Sequence, residues 1–568
     1  MRTLDGGRRL TGPNFLLPCE GAAVEVVFDA GEMPSKAKAA WVRRAAAMIR
    51  ALAWEERGFA VQWRLRRHRG GASWAFSAPI DQLLVATDIA EYAVDPRPWG
   101  GWRQARQRLR ERSQQEANPK LLRLRDWARQ HGVAFLWDSD VVSLGLGASC
   151  LCWAMADLPD PEELEPERFD RIPSAYVTGT NGKTTTARLL SKMARCAGLH
   201  VGTTTTDGWG IDGATIEGGD WTGPGAARKV LRDPRVELAV LEAARGGLLR
   251  RGLAHTMADV AIVTNASDDH LGEWGIDTVE DMLHAKLVVA QGVRPGGVLV
   301  ANAGNPVSAQ VLRDRSAVPA GVEVAWFGLA PFPDTLQQAL DNQGEVAFER
   351  AGKLVWQRGS HMIQVLAVAE VPICFGGAAL HNIENALCAI LGARNLGLSW
   401  EAIRDGLRSF ASTPKDNPGR ANVFSLGGAK IVVDFAHNPD GVRHMVALAQ
   451  TIPAARRLIT LGQAGDRSDQ AIADLIDAAV ALRADHYVLK ESLHYLRGRE
   501  LGDVTAHMRE RLLQRGVLEN QISVAMDETA ALDHALAWLR PGDLLVLLIH
   551  DDFAAAAQRL QAAGALAV

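Results

Sequence analysis

Apolar and polar positions change their rhythm twice along this chain. Near the amino end, "AAVEVVFDA" and "FAVQWRLRRH" alternate with period two, as half-buried strands do. Between them, "SKAKAAWVRRAAAMIRALAWEERG" spaces its apolar residues for a helix that the pattern carries to Gly58. A mixed α/β unit is predicted up to about residue 157. The stretch "DLPDPEELEPERFDRIPS" is rich in proline and acid and reads as a short linker. From Ala175 the rhythm becomes strand, glycine turn, helix, repeated through "SAYVTG", "VELAVLEA", "ADVAIVTN" and "GGVLVANAG". Uninterrupted apolar strands alternating with helices predict a doubly wound parallel sheet, whose functional loops gather at the carboxyl ends of its strands. A second break at "STPKDNPGRAN" precedes a third unit with strands "KIVVDFAHNP", "RLITLGQAGD", "HYVLKE" and "DLLVLLIH". The predicted fold class is α/β in three domains: a mixed unit over 1–165, a central doubly wound parallel-sheet unit over 166–415 and a Rossmann-like unit over 416–568.

Length agrees, since 568 residues exceed one core at roughly 100–200 residues per domain. Charge is nearly balanced, 62 Lys+Arg against 66 Asp+Glu, which removes any bulk electrostatic reason to seek nucleic acid or an anionic membrane. The six cysteines include the pair Cys150 and Cys152, whose spacing is neither a redox CxxC nor half of a usual zinc site. They are expected to be reduced and mostly buried. The start, "MRTLDGGRRLTGPN", lacks the apolar core of a signal peptide, and no apolar run reaches the ~18 residues of a membrane span, so a cytoplasmic protein is expected.

Chemistry enters at "YVTGTNGKTTTARLL". Gly179, Thr180, Asn181, Gly182, Lys183, Thr184 and Thr185 lie between a predicted strand and helix, where backbone N–H groups and the helix dipole favour an anion. This is a P-loop setting, with Lys183 for the β/γ-phosphates of ATP and the Thr184 hydroxyl for Mg²⁺. The loop is a shortened variant, because Val177 stands where a strict P-loop has glycine. Mg²⁺ needs further oxygen ligands, and Glu242 ends the next apolar strand; a helix-start carboxylate is the alternative. His270 follows a third strand end behind Asp268 and Asp269. Lys286 falls within an apolar helical pattern, where a bare ammonium is costly unless paired or modified.

Taken together these stretches resemble the Mur ligase superfamily of ATP-dependent amide ligases, from about Ile172 to the last residue. The resemblance implies that "GTNGKTTT" is the ATP loop, that Glu242 and His270 are metal ligands, and that Lys286 is a carbamylated lysine at the metal site. It implies further that Asn385 of "HNIENALCA" contacts adenine and that Arg420 of "NPGRAN" acts from an interdomain turn. In "VDFAHNPDG" it puts Asp434 at the ribose and His437 and Asn438 near the nucleotide, and "LGQAGDRSD" resembles the glycine loop that includes Asp466 and Arg467. Within the superfamily, "LEAARGGLLRRGL" and "LKESLHYLRGRE" look like the ligase half of the cyanophycin synthetases, and "LDGGRRLTGPNF" resembles their first domain more weakly. Two departures stand out. The ATP-grasp domain those enzymes carry between these parts is replaced by the linker near residues 158–173, and Ser492 occupies the third position of "KES", where an acid is expected.

The reaction this implies is activation of an acceptor carboxylate by the γ-phosphate of ATP, followed by attack of an amino-acid amine on the acyl phosphate. Expected partners are an amino acid and a carboxylate-bearing small molecule, peptide or polymer; a homo-oligomer is left open. Thr222 falls on the acceptor-side loop, and Arg467, Lys490, Arg497 and Arg499 are candidates for substrate carboxylates. The basic run "RQARQRLRER" reads as an exposed helix face or a docking surface for an acidic acceptor. Two other classes stay open: an NTPase coupled to motion, and a non-catalytic subunit that tethers acidic polymer.

Overall fold

The computed structural model describes every residue except Arg57. Strand Ser174–Thr178 lies in the middle of an eleven-stranded sheet, flanked by Leu238–Glu242 on one side and Ala258–Val263 on the other. All three run parallel, so the P-loop, Glu242 and the segment that follows Val263 emerge from one edge. The sheet is parallel from Val201–Thr205 across to Glu345–Arg350 and is closed at both edges by antiparallel hairpins. The continuous apolar character of these strands has a direct cause, since they are covered on both faces. Ala175 and Val177 point into a core with Leu189, Leu190, Ile262 and Ile390. Tyr176, between them, points into the opposite core with Leu241, Val263 and Leu287.

The carboxyl-terminal unit is a seven-stranded sheet in which strand Ala429–Asp434 pairs parallel with Leu544–Leu548 and antiparallel with Asn422–Leu426. Its strands are again buried on both faces, with Val432 on one and Ile431 and Val433 on the other. The amino-terminal unit is a four-stranded antiparallel sheet covered by helices Pro34–Ala51 and Leu83–Val94, with Trp41, Trp54, Trp74 and Phe76 in its core. A small three-stranded sheet, Phe135–Trp137, Val141–Leu144 and Leu151–Ala154, completes it.

Three expectations are corrected. The first helix ends at Ala51 instead of Gly58, because Ala53 adopts a left-handed φ of 60° and turns Trp54 into the core. The acidic, proline-rich linker is no free tether: Leu158 and Phe169 pack with Leu121, Leu124 and Leu144, and Ser149 Oγ accepts from the Asp170 N–H at 2.8 Å. All six cysteines are free, as expected, but only Cys374 and Cys388 are buried. No helix among the described residues is long and apolar enough to cross a membrane.

Candidate active site

A cleft of about 730 Å³ opens where the central and carboxyl-terminal sheets meet. Its floor is the loop Gly179–Thr185, and helix Lys183–Cys196 starts at Lys183. Two glycines in the loop are required by close approach. A Cβ at Gly179 would lie 1.8 Å from Thr264 Oγ1, and one at Gly182, whose φ is +84°, would lie 2.2 Å from Asn385 Oδ1. Asn385 is therefore packed directly on the loop, with its Nδ2 donating to Asn382 Oδ1 at 3.0 Å. The loop is braced from the next strand end by Asn265, whose Oδ1 accepts from the N–H groups of Thr180 and Asn181 at 3.1 and 2.9 Å. The first-turn N–H groups of the helix have no intrahelical acceptor and face the cleft, as an anion site requires.

Thr184 Oγ1 donates to Glu242 Oε2 at 2.9 Å. Glu242 is 2% exposed, and its Oε1 is buried without a hydrogen-bond partner. Burial raises its pKa, against Lys183 and the Thr184 bond. An orphaned carboxylate oxygen beside a hydroxyl is the hard, oxygen-only donor set that suits Mg²⁺, so Thr184 and Glu242 fit that ion. Lys286 is 3% exposed on helix Val279–Leu287 and makes no hydrogen bond or ion pair among the described residues. Burial first, and the Lys183 charge second, push its pKa well below the ordinary lysine value, against the opposing pull of Asp269.

His270 belongs to a second group in the same cleft. Its Nε2 lies 2.6 Å from Arg467 Nη2 and its Nδ1 3.1 Å from Glu273 Oε1. Arginine can only donate, so Nε2 is the acceptor and Nδ1–H the donor to Glu273. The sequence joins Thr184, Glu242, His270 and Lys286 into one metal set. The structure lines the cleft with Thr184, His270 and Lys286 and leaves Glu242 buried behind Thr184, but it engages His270 with Arg467, and the carboxylates close enough to share a cation with it are Glu273 and Asp466.

The carboxyl-terminal unit covers the loop through specific contacts. Asn438 Nδ2 donates to Asn181 Oδ1 at 3.0 Å. Asp269 lies 3.3 Å from Arg467 Nη2 and 3.9 Å from His437 Nε2. Burial alone would raise Asp269; His437, His270, Arg467 and Lys286 outweigh it and hold the carboxyl at about 2. Arg420 and Asp434 line the cleft, with Arg420 over the Phe435 ring at 4.8 Å and both Asp434 oxygens held by the N–H groups of Ala421 and Ala436. Among the residues expected at substrates, Thr222 and Arg497 line the cleft and Arg467 is 8% exposed beside it. Lys490 does not reach it. At 1% exposure, it is consumed inside its own unit by Glu528 and by the Leu548 carbonyl at 2.7 Å. Arg499 is likewise taken, by Asp469 and the backbone of Arg467.

Sequence reasoning passed over Asn265, Glu273 and Arg245, which pairs with Glu273 at 2.5 Å. Asn265 carried a usable signal, since it directly follows a strand end beside the P-loop. Glu273 and Arg245 carried none, because their roles arise from loops that meet only in space.

Residues 177–393 match the Mur ligase middle domain and residues 419–548 match the Mur ligase glutamate ligase domain. The chain belongs to the Mur ligase family. It is 39% identical over 381 residues to a cyanophycin synthetase of Synechocystis sp., a match that covers 66% of this chain and 42% of that protein. A UDP-N-acetylmuramyl-tripeptide synthetase of Deinococcus radiodurans is 27% identical over 384 residues, covering 65% of this chain and 71% of that one. The matched region thus spans less than half the length of the cyanophycin synthetases. The solved structure of a bifunctional folylpolyglutamate synthase/dihydrofolate synthase with Mn, AMPPNP and L-glutamate bound is 23% identical, with a TM-score of 0.49 over 69% of this chain and 89% of that one.

Proposed function

We propose that this protein is an ATP-dependent, ADP-forming ligase that joins an amino-acid amine to a carboxylate on a small molecule, peptide or polymer. The observation that carries the reading is the phosphate loop with Lys183 and the orphaned Glu242 oxygen beneath a cover built by Asn438, His437 and Arg467. An acceptor carboxylate oxygen attacks the γ-phosphorus of ATP, the bond to the β,γ-bridging oxygen breaks, and ADP leaves. The amine then attacks the acyl phosphate, loses a proton, and expels phosphate as the amide forms. Lys183 and the loop N–H groups hold the phosphates in line and offset their charge, while Arg420 adds a cation from the cover. Mg²⁺, held by Thr184 and Glu242, supplies Lewis-acid neutralisation of the phosphate oxygens when bound. Lys286, whose pKa burial lowers well below the ordinary lysine value, would be set up for carbamylation, which would turn it into an anionic ligand near His270. Asn385, Asp434 and His437 would flank the nucleoside, and the cover would keep water from the acyl phosphate. Units 1–165, 166–415 and 416–568 would then serve acceptor, nucleotide and amine respectively.

The likeness to cyanophycin synthetases supports an acceptor bearing aspartate or glutamate, and an ATP-grasp domain is absent from the linker region, so the chain by itself is not expected to extend a polymer backbone. The test is ADP release from the purified protein with Mg²⁺-ATP, screening amino acids against aspartate- and glutamate-containing acceptors, with Lys183→Ala as control. The reading requires ADP release that depends on both an acceptor and an amine, and a product lighter than their sum by one water. Release with neither would make the protein an NTPase, and none with any mixture, together with retention of acidic polymer, a tethering subunit.

A further inference from the structure

Between His270 and helix Val279–Leu287, which carries Lys286, the chain runs through the segment 271–278, and that segment is held by the amino-terminal sheet. Strand Trp63–His68 supplies Arg66, whose Nη2 donates to Asp281 Oδ1 at 2.5 Å while its Nη1 donates to the Gly275 carbonyl. Asp281 closes the capping box that starts the helix: its backbone N–H donates to Thr278 Oγ1 at 3.1 Å, and its side chain accepts from the N–H of Thr278 at 3.2 Å and of Asp277 at 3.1 Å. Three residues after Arg66, the Arg69 N–H donates to Asp277 Oδ2 at 2.7 Å. Strand Arg2–Leu10 adds Arg8, stacked 4.5 Å over the ring of Trp274, which lines the cleft. Arg8 is itself fixed by the buried carboxylate of Glu25, which also takes Ser73 Oγ at 2.8 Å and His68 Nε2 at 3.1 Å. Next in the chain to Trp274 is Glu273, the residue that orients His270. Gly275, at φ +73°, is pressed so close that a Cβ would lie 2.7 Å from Arg66 Nη1.

We infer that Arg66 is a positioning residue for the second cation-binding group of the cleft, His270 with Glu273 and Asp466: its fork pins the loop that carries Glu273 and the helix that presents Lys286. This rests on the reading of the cleft as a Mg²⁺-ATP site. Glu273, bonded directly to His270, is the kind of partner whose loss typically changes metal affinity by about 10–100-fold, and Arg66 acts through it from one step further out, which puts its effect at the low end of that range. A planar guanidinium can reach a carbonyl and a carboxylate at once, whereas one ammonium on a flexible stem holds them poorly. Arg67, exposed on the same strand, makes none of these contacts and serves as the comparison.

The test uses the full chain with Mn²⁺ as the probe. Free Mn²⁺ is titrated by electron paramagnetic resonance in the presence of a non-hydrolysable ATP analogue, and thermal unfolding is recorded for each variant. Arg66→Ala should weaken Mn²⁺ binding about 10-fold while Arg67→Ala leaves it within twofold, and Arg66→Lys should recover only part of the loss. In turnover, the half-saturating Mn²⁺ for ADP release should rise with KM for ATP unchanged. Should Arg66→Ala unfold, Asp277→Ala, which frees the same segment from the Arg69 N–H, should show the same direction. Unchanged Mn²⁺ affinity in a folded Arg66→Ala protein, or equal losses in Arg66→Ala and Arg67→Ala, would overturn the inference. Wild-type protein that binds no Mn²⁺ would overturn the reading of the cleft as well.

Discussion

Lys286 shows how one buried side chain constrains chemistry. An ammonium without a partner inside an apolar helix face is costly, so burial, with the Lys183 charge, pushes the pKa of the group well below the ordinary lysine value and favours the neutral amine. The neutral amine that results can add CO₂ and release a proton, giving a carbamate whose negative charge suits the cations around it, Lys183 and Arg245. With ¹³C-bicarbonate, wild-type protein should show a carbamate carbonyl resonance that Lys286→Arg lacks. An identical spectrum for the two proteins would remove carbamylation from the proposed mechanism. Legibility at this scale was uneven. Lys183, Thr184 and Glu242 could be read directly, since each sits at a strand end whose chemistry is local. Lys490 could not, because its partner Glu528 lies on helix Glu528–Trp538, whose place against strand His486–Lys490 is set by the packing of the sheet. Lys490 was a candidate for a substrate carboxylate, and the structure instead buries it in an ion pair with Glu528.

Among the elements, strand Ser174–Thr178 matters most because it carries the P-loop, and its middle residue, Tyr176, rests on a buried histidine. Tyr176 Oη donates to the His255 carbonyl at 3.2 Å, and the two rings lie 5.4 Å apart. Burial pushes His255 down from 6.5 to about 4, opposed by Asp259. The folded-state value lies below the unfolded one, so the unfolded chain binds the extra proton between those values. Stability is therefore retained above about pH 6.5 and lost as pH falls toward 4, by up to ~3 kcal/mol from this one group. His255→Phe should flatten the fall in chemical-denaturation midpoint between pH 6.5 and 4; an equally steep fall would show that other groups control it. The strand itself was legible, as its unbroken apolar run is what burial on two faces demands. The first helix was less so. Its apolar spacing continues past Ala51, and only the turn at Ala53, imposed by seating Trp54 in the core, ends it.

For the whole molecule, the cover over the phosphate loop hangs on few polar contacts, with Asp269 as their hub. Removing its charge leaves Arg467 and His437 facing His270 without a counter-ion. Asp269→Asn should therefore open the carboxyl-terminal unit from the central one, read as a larger radius of gyration by small-angle X-ray scattering at neutral pH, with ADP release reduced more than nucleotide binding. Scattering unchanged from wild type would assign closure to the Asn181–Asn438 pair and the surrounding packing instead. By itself the sequence determined the α/β class, the order of the three units and the phosphate loop. Strand periodicity, glycine turns and helix starts are local properties, written within a few residues of where they act. What only the tertiary structure decided is which side chains share the cleft and which are spent elsewhere. Glu273 and Arg245 joined the site, Lys490 and Arg499 left it, and the amino-terminal sheet took hold of the loop beside His270. Each of those outcomes depends on loops and strands far apart in the chain meeting at hydrogen-bond distance, a relation that no local spacing encodes.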